Sequence, residues 1–183
     1  LANVYAGIGL YQEALEYDLA QSQYLPLEKT DLEGRANRFF ALAERYMRLK
    51  DYESSKYYFH KALALDQQLN VPVHIGHSLL KLSQAYRRAG DYAEAMAYAL
   101  EAQDIFDNVA IERHVAWAKS NIGDVYLDQQ QYEEAVYYLL QAHNTIEALD
   151  EKFLLTKIRL SLGRAFTGLG EVEQAENYFV TSL

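Results

Sequence analysis

Two stretches decide the fold: GDYAEAMAYALEAQ at 90–103 and QQYEEAVYYLLQAH at 130–143. They align without a gap, forty residues apart. Tyr92 answers Tyr132, Ala95 answers Ala135 and Tyr98 answers Tyr138. Neither stretch holds a catalytic set. What they share is small and aromatic residues at fixed offsets, which is a packing pattern.

The pattern runs the length of the chain. Tyr5, Tyr46, Tyr86, Tyr126 and Phe166 are spaced 41, 40, 40 and 40 residues apart. Six residues after each come Tyr11, Tyr52, Tyr92, Tyr132 and Val172, and nine after each come Ala14, Ser55, Ala95, Ala135 and Ala175. Twelve after each come Tyr17, Tyr58, Tyr98, Tyr138 and Tyr178. Four columns in register over five units mark a repeated supersecondary unit.

Each unit reads as a helical hairpin. One helix ends near LKD (49–51), AGD (89–91), QQQ (129–131) or LGE (169–171), and a second begins directly. Asp51 and Asp91 stand where an N-cap would accept from orphan N–H groups. Gly90 and Gly170 suit the left-handed position that ends a helix. The small column marks a close helix crossing, where a larger residue would overpack by about 1–3 kcal/mol. The tyrosines are expected to fill the layer between neighbouring hairpins, with their hydroxyls at its wet edge.

Composition agrees. Of 183 residues half are hydrophobic, two are Pro and sixteen are Tyr, which reads as all-α. The net charge of −9 argues against a nucleic-acid binder, which needs a basic face. There is no Cys for thiolate chemistry, an absence that suits cytoplasm and periplasm alike, with the cytoplasm slightly favoured. No apolar run approaches the roughly 20 residues that cross a bilayer, so direct membrane insertion of this segment is not expected. The chain starts with Leu and both ends fall inside helical patterns, so a fragment of a longer protein is expected.

The columns resemble the tetratricopeptide repeat, whose units carry a large residue, a small one, a Tyr, then Gly-Asp-Tyr-x-x-Ala. Here they read FFALAERYMRLKDYESSKYYFHKALALD (39–66) and LLKLSQAYRRAGDYAEAMAYALEA (79–102), with Gly123 and Gly163 at the small first-helix position of the next two units. The resemblance covers essentially the whole chain. It implies a single α-solenoid over 1–183, a right-handed superhelix of stacked antiparallel helix pairs. The repeats fall at about 1–35 (partial), 36–75, 76–115, 116–155 and 156–183 (partial). The family period is about 34 residues; the extra residues here are expected to lengthen the helices and the joint QQLNVPVHIG (67–76). The long period is similar to repeats of bacterial signalling proteins.

Nothing in the chain reads as an enzyme. His74 and His77 lie one helical turn apart without a third metal ligand near them in sequence. Glu133–Glu134 and Asp150–Glu151 fall at helix starts, where the helix dipole favours acids. AGIG (6–9) follows no strand and lacks phosphate-loop spacing. No catalytic residue, metal or cofactor is expected.

The resemblance implies a concave face built from the first helix of each unit. Its groove residues are Asn37, Phe40, Ala41, Glu44, Met47 and Arg48; then His77, Leu80, Lys81, Gln84, Arg87 and Arg88. In the later units they are Trp117, Ser120, Asn121, Asp124, Leu127 and Asp128, then Lys157, Leu160, Ser161, Arg164, Thr167 and Gly168. Six cations and three anions give this set +3 in a chain at −9, which points to an acidic or carboxylate-bearing peptide. Trp117 and Phe40 are of the anchor type enriched at binding hot spots. Asn121 falls where family members hold a peptide backbone. The chaperone-tail clamp of the family is not formed, because its positions hold Phe40, Glu44, Lys81, Trp117 and Asn121. The expectation is a protein- or peptide-binding module, the sensory or docking part of a larger bacterial signalling protein. The alternative is a structural adaptor that assembles or self-associates through tyrosine-rich surfaces.

Overall fold

The structure, a computed structural model, describes residues 31–182 together with Gln12, Glu13 and Glu16. The described residues form eight helices and no strand. These are α1 (Leu32–Arg48), α2 (Tyr52–Leu69), α3 (Pro72–Ala89), α4 (Tyr92–Asn108), α5 (Glu112–Asp128), α6 (Tyr132–Ala148), α7 (Lys152–Leu169) and α8 (Val172–Val180). The all-α class and the paired helices are as predicted. Tyr5, Tyr11, Ala14, Tyr17, Pro26 and the turn at 6–9 lie outside the described residues.

Two compact units divide at the turn after α3: Leu1–Gly90, with α1 to α3, and Asp91–Leu183, with α4 to α8. In the first, α2 packs on both α1 and α3. In the second, each helix packs on the next, and α5 also reaches α7. The core of the second unit runs through Leu139, Ile146, Ile158 and Leu162, all fully buried. Each such side chain stabilises the fold by roughly 1.5–3 kcal/mol.

The helices α1 to α7 have 17 or 18 residues, and connections of two or three residues join them. The long period therefore goes into the helices alone. The joint QQLNVPVHIG is no longer than the other turns: only Asn70 and Val71 separate α2 from α3, and Pro72 opens α3 at a position that needs no N–H.

One backbone device makes every turn. Lys50, Asn70, Gly90, Ala110, Gln130, Asp150 and Gly170 all have positive φ, between 54° and 94°. They recur every twenty residues. At five of them the chain closes each helix with the same pair of bonds. In the first, the Asp51 N–H donates to the Tyr46 carbonyl at 3.0 Å and the Lys50 N–H to the Met47 carbonyl at 3.1 Å. Gln131 with Tyr126 (2.9 Å) and Glu171 with Phe166 (2.9 Å) repeat it. Orphan carbonyls at the helix ends are thereby satisfied. Side-chain N-caps open two helices: Asp51 accepts from the Ser54 N–H at 3.1 Å and Asp31 from the Gly34 N–H at 2.8 Å, whereas Asp91, expected to do the same, holds the N-cap position of α4 without a side-chain cap bond.

The small columns meet where the two helices of a hairpin cross. Ser55 Oγ donates to the Ala43 carbonyl of the facing helix at 2.9 Å, both residues being fully buried. A Cβ added to Gly123 would lie 2.7 Å from Leu139 Cγ and 3.3 Å from the Ala135 carbonyl oxygen. Crossings this close exclude larger residues.

The tyrosines correct the sequence expectation in part. In three hairpins two of the aromatic columns stack inside the hairpin, beside the crossing, while Tyr132 lies against α7 of the next hairpin and Tyr86 meets His60 of the preceding one, as expected. Tyr46 lies on Tyr58 (5.4 Å, 6° between planes), Tyr126 on Tyr138 (5.6 Å, 21°) and Phe166 on Tyr178 (5.5 Å, 4°). The twelve-residue offset that separates the columns is the path from one ring, through the turn, back to its partner. Burial, with Tyr126 and Tyr137 nearby, pushes the Tyr138 phenol above its ordinary value. Between α2 and α3, His60 Nε2 sits 3.1 Å from the Tyr86 hydroxyl. Burial and then Lys56 hold its imidazole below the usual histidine range.

The turns yield a direct prediction. A non-Gly residue in the left-handed region costs roughly 1–2 kcal/mol, which glycine largely avoids at some cost in unfolded-state entropy. Ala110→Gly should raise the unfolding free energy in urea by about 0.5–1 kcal/mol, and Gly170→Ala should lower it by about 1 kcal/mol. No gain for Ala110→Gly would contradict the turn assignment.

Candidate functional site

The residues expected to face a groove lie on α1, α3, α5 and α7. In the first unit Asn37, Arg48 and Arg88 are exposed, while Phe40, Ala41, Glu44, Met47, His77, Lys81, Gln84 and Arg87 are partly buried. In the second, Leu160, Arg164, Thr167 and Gly168 are exposed, and Trp117, Asp128 and Lys157 are partly buried. Leu80, Ser120, Asn121, Asp124, Leu127 and Ser161 are buried. Of these six, Asp124 and Ser161 join two first helices.

Within each unit, polar residues of the expected set link its two first helices as rungs of a ladder. Glu44 on α1 pairs with Lys81 on α3, Oε1 to Nζ 2.5 Å, and the same ammonium stands 5.8 Å over the Phe40 ring. Eighty residues on, Asp124 holds the Glu44 column and Ser161 the Lys81 column. There Ser161 Oγ donates to Asp124 Oδ1 at 2.7 Å, and Lys157 Nζ lies 3.3 Å from Oδ2. Arg164 adds a longer rung to Asp128 at 3.4 Å. Each of the three anions of the set thus holds one of its six cations, so part of the positive excess is used in joining helices. Asn121 donates its side-chain amide to the Trp117 carbonyl at 2.9 Å, within its own helix. Phe40 packs its edge on Phe59 at 5.3 Å between centroids.

Residue types alone did not single out two polar links, one buried and one exposed. Asp66 accepts from Ser78 Oγ at 2.7 Å between α2 and α3. The same columns hold Phe106 with Ala118 and Ile146 with Ile158, so a polar pair among apolar ones was the available signal. Arg159 joins α6 to the end of α8, donating to Glu147 Oε1 at 2.9 Å and to the Thr181 carbonyl at 2.7 Å.

An open cleft of about 640 Å³ lies in the second unit, at the C-terminal ends of α5 and α7. It brings together Leu127, Asp128, Arg164, Thr167 and Gly168 of the expected set. Tyr92, Tyr132 and Phe179 supply its aromatic wall. Among the described residues no group of three or more His, Cys, Asp or Glu side chains could hold a metal, and no helix is long and apolar enough to cross a membrane.

The ladder should carry unequal energies. Ser161→Ala removes a donor from a buried carboxylate and should destabilise by about 1.5–3 kcal/mol in chemical denaturation. Lys81→Met breaks a partly exposed pair and should cost under about 1 kcal/mol. Equal losses would contradict a load carried at the buried rung.

Comparison with known proteins places this geometry. The profile of the tetratricopeptide repeat matches residues 34–108 and 114–183. No curated protein matches the chain. Among solved structures, a Rap protein complexed with competence and sporulation factor is similar at 16% identity and TM-score 0.87, over 99% of this chain and 50% of the other. The Rap conjugation gene regulator of plasmid pLS20, in complex with the Phr* peptide, is similar at 16% identity and TM-score 0.85, over 99% and 50%. BtubC (BKLC) from P. vanneervenii follows at 20% identity and TM-score 0.75, over 100% and 75%. The chain thus spans half the length of the two Rap proteins. With two profile matches spread over most of its length, the chain belongs to the tetratricopeptide repeat family.

Proposed function

We propose that the chain is a non-catalytic peptide- or protein-binding module, the sensory or docking part of a larger bacterial signalling protein. The observation that carries this reading is the division of labour on the first helices. A buried polar pair joins neighbours, as in Asp124–Ser161, while Asn37, Arg48 and Arg88 stay exposed in the first unit, which also holds the partly buried Phe40, and Arg164 in the second, which holds Trp117. Polar, cationic and aromatic groups on a rigid helical frame suit capture of a peptide. Support also comes from the two Rap proteins, whose structures hold a competence and sporulation factor and a Phr* peptide. The exposed cations favour an acidic ligand.

A second reading, an adaptor that self-associates, is favoured by a specific feature. Phe153 at the start of α7 is 89% exposed and Val172 at the start of α8 is 73% exposed. Apolar groups so placed suit contact with another surface.

Selection of a random peptide display library on the purified chain tests the first reading. Convergent, acid-rich peptides are expected. Arg48→Glu with Arg88→Glu should weaken the best of them at least about tenfold, an effect of about 1.4 kcal/mol, with helicity by circular dichroism unchanged. Failure to enrich any peptide, with oligomers forming on concentration that Phe153→Ser abolishes, would replace it by the second.

A further inference from the structure

We propose that the cleft of the second unit is an anchor site for a peptide segment in which an aromatic side chain stands next to an acidic one. This rests on the peptide-binding reading above and adds which side chains the module selects. The cleft volume of about 640 Å³ lies within the range of ligand sites, about 300–1,000 Å³.

Its wall is suited to a ring. Tyr92 and Tyr132 hold the same column, at the starts of α4 and α6. Phe179, on α8, completes the wall and is 37% exposed, whereas Leu139 in its column is fully buried. Gly168 keeps the space open: a Cβ there would collide with the Tyr132 ring, which lies against the α7 backbone. An aromatic guest can therefore stack against or edge onto three rings.

The cation supplies the second requirement. The Arg164 side chain is 58% exposed, and among the described residues its guanidinium makes one polar contact, to Asp128 Oδ1 at 3.4 Å. That is longer than the roughly 2.7–2.9 Å of a strong charge-assisted bond. Most of the guanidinium fork is left to pair bidentately with an incoming carboxylate. Asp128 repels that carboxylate if it moves off Arg164, which fixes the order of the two side chains in the cleft.

The test is fluorescence anisotropy on the whole chain with short, fluorescein-labelled, C-terminally amidated peptides in a Gly-Ser frame. Three carry a central Phe-Glu, Phe-Gln or Ala-Glu. Phe-Glu should bind about tenfold or more tighter than either of the others. Arg164→Gln should erase the preference for Glu over Gln and keep that for Phe over Ala. Gly168→Ala should push the Tyr132 ring into the cleft and weaken Phe-Glu about tenfold. Since Arg164 is on the surface, Arg164→Gln remains informative even where Gly168→Ala lowers stability. Equal binding of the three peptides, or a Glu preference that survives Arg164→Gln, overturns the cleft assignment. If peptides from the display library bind and also survive Arg164→Gln, the cleft proposal fails while the peptide-binding reading stands. If the library too returns nothing, both fail.

Discussion

Everything in this protein hangs on how closely the two helices of a hairpin cross. Ser55 reaches the Ala43 carbonyl, and Gly123 leaves no room for a Cβ beside Leu139 and the Ala135 backbone. Side chains this small bring the helix axes together, and closeness fixes what happens on either side. Aromatic rings one turn away meet as stacked pairs, Tyr46 with Tyr58 and Tyr126 with Tyr138. The left-handed turn that follows returns the chain at the height the ring pair needs. Because Lys50, Gln130 and Gly170 all take the same backbone conformation, the crossing recurs although the turn residue changes.

The proposed binding surface uses the residues that the crossing does not. One side of each first helix lies against its hairpin partner through Ala43, Gly123 or Gly163. A second stripe, Glu44 to Lys81 and Asp124 to Ser161, joins it to the next first helix. The proposed ligand contacts fall on what these stripes leave exposed, together with the weakly paired Arg164. This arrangement also limits the electrostatics. Half of the candidate cations have structural partners inside the set, so the charge offered to a partner is smaller than a residue count suggests.

Much of the fold was legible in the chain. Four aligned columns predicted paired helices, the cap at Asp51 and the left-handed glycines at 90 and 170. The turns at Lys50, Ala110 and Gln130 were not legible as left-handed, because none of these residue types favours that region. The stacked pairs inside the hairpins were not legible, since a column says that residues are equivalent and not which neighbour they touch; the contacts of Tyr132 and Tyr86 with neighbouring hairpins were. The candidate site was less legible still. Asn121, Asp124 and Ser161 carry polar groups suited to a ligand, yet all three are buried, Asp124 and Ser161 bonded to each other between first helices and Asn121 to the backbone of its own helix. The cleft was not legible at all: Tyr132, Gly168 and Arg164 come together only through the fold.

The most direct test of the central constraint compares Ala135→Leu with Ala97→Leu by urea unfolding. Both substitutions put the same bulk on a helix of the second unit, but Ala135 is fully buried at a crossing and Ala97 is exposed. The account predicts a loss of about 1–3 kcal/mol or more at position 135 and almost none at 97. Equal, small effects at both positions would show that the helices can part at little cost, and that something other than the crossing sets the fold.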